Sequence, residues 1–307
     1  MKMILFFVLN YFISNIHCLQ LGINVATGQM SKKIPDSQWI SWVCNENHSF
    51  PIHFKYFWRD VNQLNLQKQN CPTTTSAVIT IQNDELPVSF ETAMDILYPY
   101  TEYKDIIYLI AIGNEADTKW LPNDFIYKVT DSIKNTQKAV LSLNMPMKVT
   151  TPLSLSVFNW EEMMIQEKWR DPLIEILSFY RIYGTPFMIN IYPYLSWYHH
   201  QDLYSLDEAL STLFIQKIEN IKNLLSELGF KDIKICIGET GWPTEGSDGA
   251  QREYASIYWS MINSLSLKNI DGLQCIYWFE LIDEDQKIGD VDEHFYGKYS
   301  SDGKLKY

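Results

Sequence analysis

After its first residues the chain has no apolar run approaching the roughly 20 residues needed to cross a bilayer. Positive charge is also scarce, with 25 Lys and Arg against 37 Asp and Glu and a formal net charge of −12. An acidic surface repels phosphate backbones and anionic lipids, so nucleic acid and membrane surfaces are excluded as natural partners. Histidines number 6, and His48, His53, His199, His200 and His294 show no metal-ligand spacing. No metal and no cofactor are expected. Gly (13) and Pro (12) form no Pro/Gly/Ser-rich linker, and no repeat or low-complexity tract divides the chain, which argues for one domain and a monomer.

Aromatic residues are plentiful, at 14% with 10 Trp and 19 Tyr. They serve either to fill a large core or to stack on sugar rings, whose axial C–H bonds form apolar patches. At the N-terminus Lys2 precedes Met3-Ile4-Leu5-Phe6-Phe7-Val8-Leu9, and a second apolar group, Tyr11-Phe12-Ile13, gives way to Ser14-Asn15. This layout is that of a secretory signal peptide over residues 1–18, with cleavage near Cys18. The chain closes on Lys304-Leu305-Lys306-Tyr307, which is neither a lipid-anchor tail nor a retention signal. A soluble, exported protein over residues 19–307, secreted or held in a cell wall, is expected. Export permits disulfides among Cys44, Cys71, Cys236 and Cys275. Cys236 and Cys275 lie in apolar strand segments and read as buried free thiols, while Cys44 and Cys71 read equally well as paired or free. Asn47-His48-Ser49 is an N-glycosylation acceptor pattern.

Eight short apolar, β-branched runs recur along the chain: Leu21–Ala26, His53–Trp58, Ala77–Ile81, Ile106–Ile112, Lys148–Thr151, Phe187–Tyr192, Ile233–Gly238 and Gly272–Phe279. Between them lie helical patterns over Phe125–Leu143, Asp171–Tyr183, Leu206–Leu228 and Gln251–Leu267. In the third, Leu213, Ile218, Ile221, Leu224 and Leu225 recur near helical spacing, with Ser205 as a candidate cap and Gly229 just past the end. Alternation of strand and helix implies parallel pairing, and eight repeats imply closure into a single (β/α)₈ TIM barrel. Residues 28–50 and 60–75 show the weakest periodicity.

In such barrels the reacting groups sit where strands end, because the following loops form the mouth. The fourth candidate strand ends Gly113-Asn114-Glu115, the seventh ends Gly238-Glu239-Thr240-Gly241-Trp242-Pro243, and the eighth leads to Asp283-Glu284-Asp285-Gln286-Lys287. A lone acid after a strand is ordinarily a helix cap or a first-turn charge. Two acids facing across one mouth fit glycoside cleavage, which needs one carboxylate to attack the anomeric carbon and a second carboxyl to protonate the leaving oxygen.

At these residues the chain resembles glycoside hydrolase family 17, the β-1,3-glucanase family within the clan of retaining (β/α)₈ glycosidases. Five motifs in order carry the resemblance: Gly22-Ile23-Asn24, Gly113-Asn114-Glu115, Asn190-Ile191-Tyr192-Pro193-Tyr194, Glu239-Thr240-Gly241-Trp242-Pro243 and Asp283–Lys287, with Glu293 shortly before Tyr296-Gly297. The resemblance implies Glu115 as acid/base and Glu239 as nucleophile. It implies Asn114 at the donor 2-hydroxyl, Tyr192 orienting the nucleophile, and Glu284, Lys287 and Glu293 as charged support, the alternative for these last three being a plain surface ion pair. It implies Trp242 in the sugar-binding wall, with core packing the alternative. The implied substrate is a β-1,3-glucan.

Strands one to three depart most from the family. Val25 stands where Tyr is usual. The arginine of the usual Arg-Leu-Tyr-Asp segment reads here as displaced to Arg59, within Phe57-Trp58-Arg59-Asp60, and the third strand ends in Gln82-Asn83. Leu195–Ser205 is shorter than in the plant enzymes, which favours glucan transfer as an alternative to hydrolysis. A catalytically silent wall-binding protein on the same scaffold is a further alternative, and the presence of both Glu115 and Glu239 speaks against it. Another β-glycosidase of the clan, acting on mannan or β-1,4-glucan, is a third, and Glu239-Thr240-Gly241-Trp242 and Asp283–Lys287 speak against that one.

Overall fold

The computed structural model describes residues 19–45, 52–118, 121–122, 124–159, 164–268 and 270–307. The expected leader and the Asn47-His48-Ser49 acceptor lie outside the described residues. Strands β1 (Gln20–Val25), β2 (His53–Tyr56), β3 (Ala77–Ile81), β4 (Ile107–Ile112) and β5 (Lys148–Thr150) come first. They are followed by β6 (Pro152–Leu153), a small hairpin of β7 (Phe158–Asn159) and β8 (Met164–Ile165), then β9 (Phe187–Asn190), β10 (Ile235–Thr240) and β11 (Leu273–Trp278). The intervening helices are α1 (Asp36–Asn45), α2 (Val61–Asn70), α3 (Phe90–Leu97), α4 (Phe125–Ser142), α5 (Glu167–Tyr183), α6 (Pro193–His199), α7 (Leu206–Ser211), α8 (Leu213–Glu227) and α9 (Arg252–Ser266).

Nine strands form one sheet in the order β5-β4-β3-β2-β1-β11-β10-β9-β6, with parallel pairing throughout. The two ends of that order, β5 and β6, are separated in the chain by Thr151 alone, so the sheet closes on itself. The eight expected strands are therefore present, and the fifth is broken in two. Pro152 has no N–H to give a ladder. At the break the Thr151 N–H donates to the Tyr180 hydroxyl at 2.8 Å, and the Thr151 hydroxyl donates to Ile112 O at 2.7 Å, so the polar groups stay satisfied. The architecture is a (β/α)₈ barrel, and β9, β10 and β11 are its sixth, seventh and eighth strands.

The interior of the barrel is filled by Val78, Leu109, Ala111, Met188, Cys236, Cys275 and Tyr277. A larger apolar layer lies between sheet and helices. Helix α4 shows how it forms: Phe125, Ile126, Val129, Ile133 and Val140 recur at helical spacing and are all buried. Helix α2 lies in the weakly periodic stretch for a reason visible in its contacts. Two of its three buried residues are Gln63 and Gln67, and Gln67 accepts a hydrogen bond from the Tyr56 hydroxyl at 3.0 Å. A polar inward face hides the helical period. The expected single helix over Leu206–Leu228 is instead two, α7 and α8, meeting at Thr212.

The free-thiol expectation for Cys236 and Cys275 is corrected by the structure, which joins them in a disulfide with Cα atoms 4.6 Å apart. They are register partners on the adjacent strands β10 and β11, a proximity that apolar sequence context does not reveal. Cys44 and Cys71 are also joined, tying the end of α1 to the end of α2. Peptide mapping without reduction is expected to recover Cys236–Cys275 and Cys44–Cys71 cross-links. Replacing Cys236 and Cys275 by serine is expected to lower unfolding free energy by about 2–4 kcal/mol, read by urea denaturation; an unchanged midpoint contradicts the bridge.

Candidate active site

Glu239, the second-last residue of β10, is 4% exposed and accepts two hydrogen bonds inside the mouth. Lys55 Nζ donates to its Oε1 at 2.9 Å, and the Tyr192 hydroxyl donates to its Oε2 at 2.7 Å. Lys55 is 1% exposed and also donates to Asn24 Oδ1 at 2.9 Å. Asn24 in turn donates to Gly238 O at 3.1 Å and Trp278 O at 3.2 Å. The buried carboxylate is thus ion-paired on one oxygen and hydrogen-bonded on the other, as a charge inside a packed barrel requires.

Lys55 corrects the reading of the second strand. Arg59 does not reach the mouth; its guanidinium pairs with Glu85 and with Thr80 O. The cation that enters the barrel is Lys55, four residues earlier. Alternation along β2 points Lys55 inward, a clue available in the sequence but masked by the arginine nearby.

Glu115 follows β4 through a tight turn. Gly113 has φ of 62° and Glu115 itself has φ of 51°, a conformation uncommon for a side chain larger than glycine. Asn83 holds this turn from the loop after β3, accepting from Asn114 N at 3.0 Å and donating to Asn114 O at 2.8 Å. Asn190 Nδ2 donates to Glu115 Oε1 at 2.9 Å and lies 3.4 Å from Asn114 Oδ1. Burial, and then the nearby charge of Glu239, push the Glu115 carboxyl up to about 8. One carboxyl is thus kept protonated near neutrality while the other is ion-paired. These two hydrogen-bonded groups lie side by side, with Asn190 on β9 in register with Glu239 on β10. They bring together Asn114, Glu115, Tyr192 and Glu239, as well as Asn24, Lys55 and Asn190, to which the sequence assigned no role.

Around them runs a ring of aromatics. Phe279 packs edge-on against Phe57 (6.0 Å), Tyr192 (6.1 Å) and Tyr296 (5.6 Å). Lys287 Nζ lies 4.9 Å over the Phe279 ring and pairs with Glu293 at 2.6 Å, with side chains 26% and 38% exposed. Burial alone would lower the Lys287 ammonium, but the carboxylates of Glu293, Glu280 and Glu284 hold it above its ordinary range. Glu284 is buried and pushed up to about 7, chiefly by desolvation. Glu280 is fully buried with neither carboxyl oxygen hydrogen-bonded among the described residues, and desolvation, followed by Glu284, pushes its carboxyl well above the usual range. Glu280 directly follows the eighth candidate strand, Gly272–Phe279, an acid at the end of an apolar run to which the sequence assigned no role.

Trp242 does not face the mouth. It is fully buried, donates from Nε1 to Gly249 O at 2.9 Å, and packs against Tyr194 and Tyr258. Its place in the Gly-Trp-Pro motif is therefore core packing beneath the loop, and the sugar-wall expectation is corrected. The open cleft, about 1420 Å³, starts at Glu115, Asn190 and Tyr192 and is walled by Phe158, Leu195 and His199. His199 and His200 are exposed on its edge. Among the described residues no group of three or more His, Cys, Asp or Glu is arranged to hold a metal ion, and no helix is long and apolar enough to cross a membrane.

Replacing Lys55 by methionine leaves the Glu239 charge buried without its cation, and is expected to cost about 3–5 kcal/mol of stability. It should also cut turnover, with arginine restoring part of both; urea melts and initial rates check it. Trp242→Ala is expected to cost about 3–5 kcal/mol as a cavity, whereas Trp242→Phe leaves KM for an oligosaccharide unchanged. A raised KM in the phenylalanine variant would contradict the core placement.

A family model described as glycosyl hydrolases family 17 matches residues 62–307. Glucan endo-1,3-beta-glucosidase 5 of Arabidopsis thaliana is 28% identical over 66% of this chain, which spans about half of that relative's length (48%). Glucan endo-1,3-beta-glucosidase A of Solanum lycopersicum is 23% identical over 93% of this chain and 91% of its own. Among solved structures, the β-1,3-glucanase and allergen CJP38 of Cryptomeria japonica pollen superposes with a TM-score of 0.78 at 22% identity, covering 94% of this chain and 98% of that one. A plant β-glucan endohydrolase superposes with a TM-score of 0.80 at 19% identity, covering 93% and 98%. These two likenesses concern the fold. With the family model covering β3 to the C-terminus and the two glutamates inside that span, the chain belongs to glycosyl hydrolases family 17.

Proposed function

We propose that this protein is a secreted, retaining endo-1,3-β-glucan hydrolase that works without a cofactor. The observation that carries the reading is the split between the two glutamates: Glu115 is held protonated by burial, and Glu239 is held between Lys55 and Tyr192. Glycoside cleavage with retention needs that division of labour. The Glu239 carboxylate attacks the anomeric carbon as the glycosidic C–O bond breaks, and Glu115 gives its proton to the departing oxygen. The Glu115 carboxylate then takes a proton from water, which attacks the same carbon and releases Glu239. Asn114 binds the donor 2-hydroxyl, Tyr192 fixes the nucleophile, and the Lys287, Glu293 and Glu284 group supports the site through Phe279. The linkage follows from the relatives, which are named glucan endo-1,3-beta-glucosidases. Two disulfides accord with the export suggested by the leader.

A second reading, transfer to a sugar hydroxyl in place of water, is favoured by one feature. The cleft opens broadly on the Glu115 side, where α6 and its following turn, residues 193–205, leave room for an acceptor chain. Products longer than the substrate, resolved by size on laminari-oligosaccharides, would establish transfer.

Glu239→Gln and Glu115→Gln are each expected to cut turnover by about 10²–10⁴-fold or more, with the first product of the wild type having β configuration by NMR. Laminarin hydrolysis by Glu239→Gln at the wild-type rate would sink the nucleophile assignment. The pH profile follows from the sign of the shift. Glu115 must carry its proton to act, so kcat/KM holds below and falls as pH rises through about 8. In Glu239→Gln the neighbouring negative charge is gone, so the Glu115 titration moves to lower pH.

A further inference from the structure

Trp58 is 48% exposed, the largest exposed share among the described tryptophans. Its neighbours on the chain face the mouth: Lys55 holds Glu239, and Phe57 packs on Phe279. Trp58 instead borders a separate hollow of about 650 Å³ outside the β2 and β3 ends, together with Arg59, Gln82, Asp84, Glu85 and Asp95. That hollow shares no lining residue with the catalytic cleft.

The polar groups of this hollow are fixed in advance. The Arg59 guanidinium forks onto both oxygens of Glu85 and reaches Thr80 O at 3.3 Å. Glu85 Oε2 accepts from Gln82 N at 2.8 Å, and Gln82 Nε2 donates to Phe57 O. One edge of the indole is wedged against the loop after β1. A Cβ at Gly28 would lie 2.8 Å from Trp58 Nε1, so only glycine allows this approach. An indole held in place yet half bare is an apolar surface left unpaired in a polar rim, the pattern of a binding site.

We infer that Trp58, with Arg59, Glu85 and Asp84 around it, forms a second, non-catalytic glucan-binding site on the β2–β3 side of the molecule. A pyranose ring offers an apolar C–H face to the indole and hydroxyls to the guanidinium and carboxylates. Arg59 and Glu85 neutralise one another, and Asp84 and Asp95 leave the rim acidic, so the site suits an uncharged chain better than an anionic one. It would hold a length of polymer outside the cleft and raise the local concentration of scissile bonds. The inference rests on the glucan reading for its ligand and on Trp58 for its place.

The test compares wild type, Trp58→Ala and Trp58→Tyr on a short laminari-oligosaccharide and on polymeric laminarin, with migration in laminarin-containing native gels as the binding readout. Trp58→Ala is expected to keep wild-type kinetics on the short substrate, to raise KM on the polymer, and to lose gel retardation. An aromatic platform of this kind is worth about tenfold in affinity. Trp58→Tyr restores retardation. Retardation of Trp58→Ala equal to wild type overturns the site, as does an equal fall of kcat/KM on both substrates, which would place Trp58 in the cleft. A wild type that is retarded through Trp58 but hydrolyses neither substrate would sink the hydrolase reading and leave the site standing.

Discussion

A single buried network crosses four consecutive strands of the barrel. It starts at Lys55 on β2, passes through Asn24 on β1 to the Trp278 carbonyl on β11 and the Gly238 carbonyl on β10, and ends at Glu239. A charge placed inside a packed barrel is costly unless paired and hydrogen-bonded. Here the Glu239 charge has an ammonium on one oxygen and a phenol on the other, and the ammonium has its own acceptor in Asn24. The protonation state of Glu115 depends on this arrangement, since the Glu239 charge is one of the two main causes of its raised titration. Lys55 therefore acts on both glutamates while touching only one.

The surroundings magnify these charges. Phe57, Phe279, Tyr192 and Tyr296 pack edge-on around the mouth and displace water, which strengthens every interaction within it. The loops beyond β10 and β11 are bound together by the C-terminal residues. Lys306, nearly buried, pairs with Asp283 at 2.6 Å and donates to Thr244 and Phe295 O, so the last turn of chain secures the loop that carries Glu284 and Lys287. Trp42 on α1 stacks on Tyr299 at 4.4 Å and extends that clasp to the first helix.

Much of this was legible in order along the chain. The eight strand segments were visible because strands buried on both faces are short, apolar and β-branched, and parallel pairing follows from the helices between them. Glu115 and Glu239 were visible because an acid at the end of such a run is out of place in a purely structural role. Helix α2 was hidden because its buried face is glutamine. Trp242 was ambiguous because a large aromatic beside a strand end serves the core and the cleft equally well in one dimension.

The sequence by itself determined the class of fold and singled out the two glutamates, since each of these is a local or periodic property of the chain. Tertiary structure alone decided the partners. Lys55 lies 184 positions from Glu239, Asn190 lies 75 from Glu115, and Cys236 lies 39 from Cys275. None of those separations carries a signature, because they are set by barrel closure and strand register. Tertiary structure likewise decided which of two nearby cations on the second strand enters the barrel. Alternation turns Lys55 inward, and Arg59 is drawn off by Glu85 on the neighbouring loop.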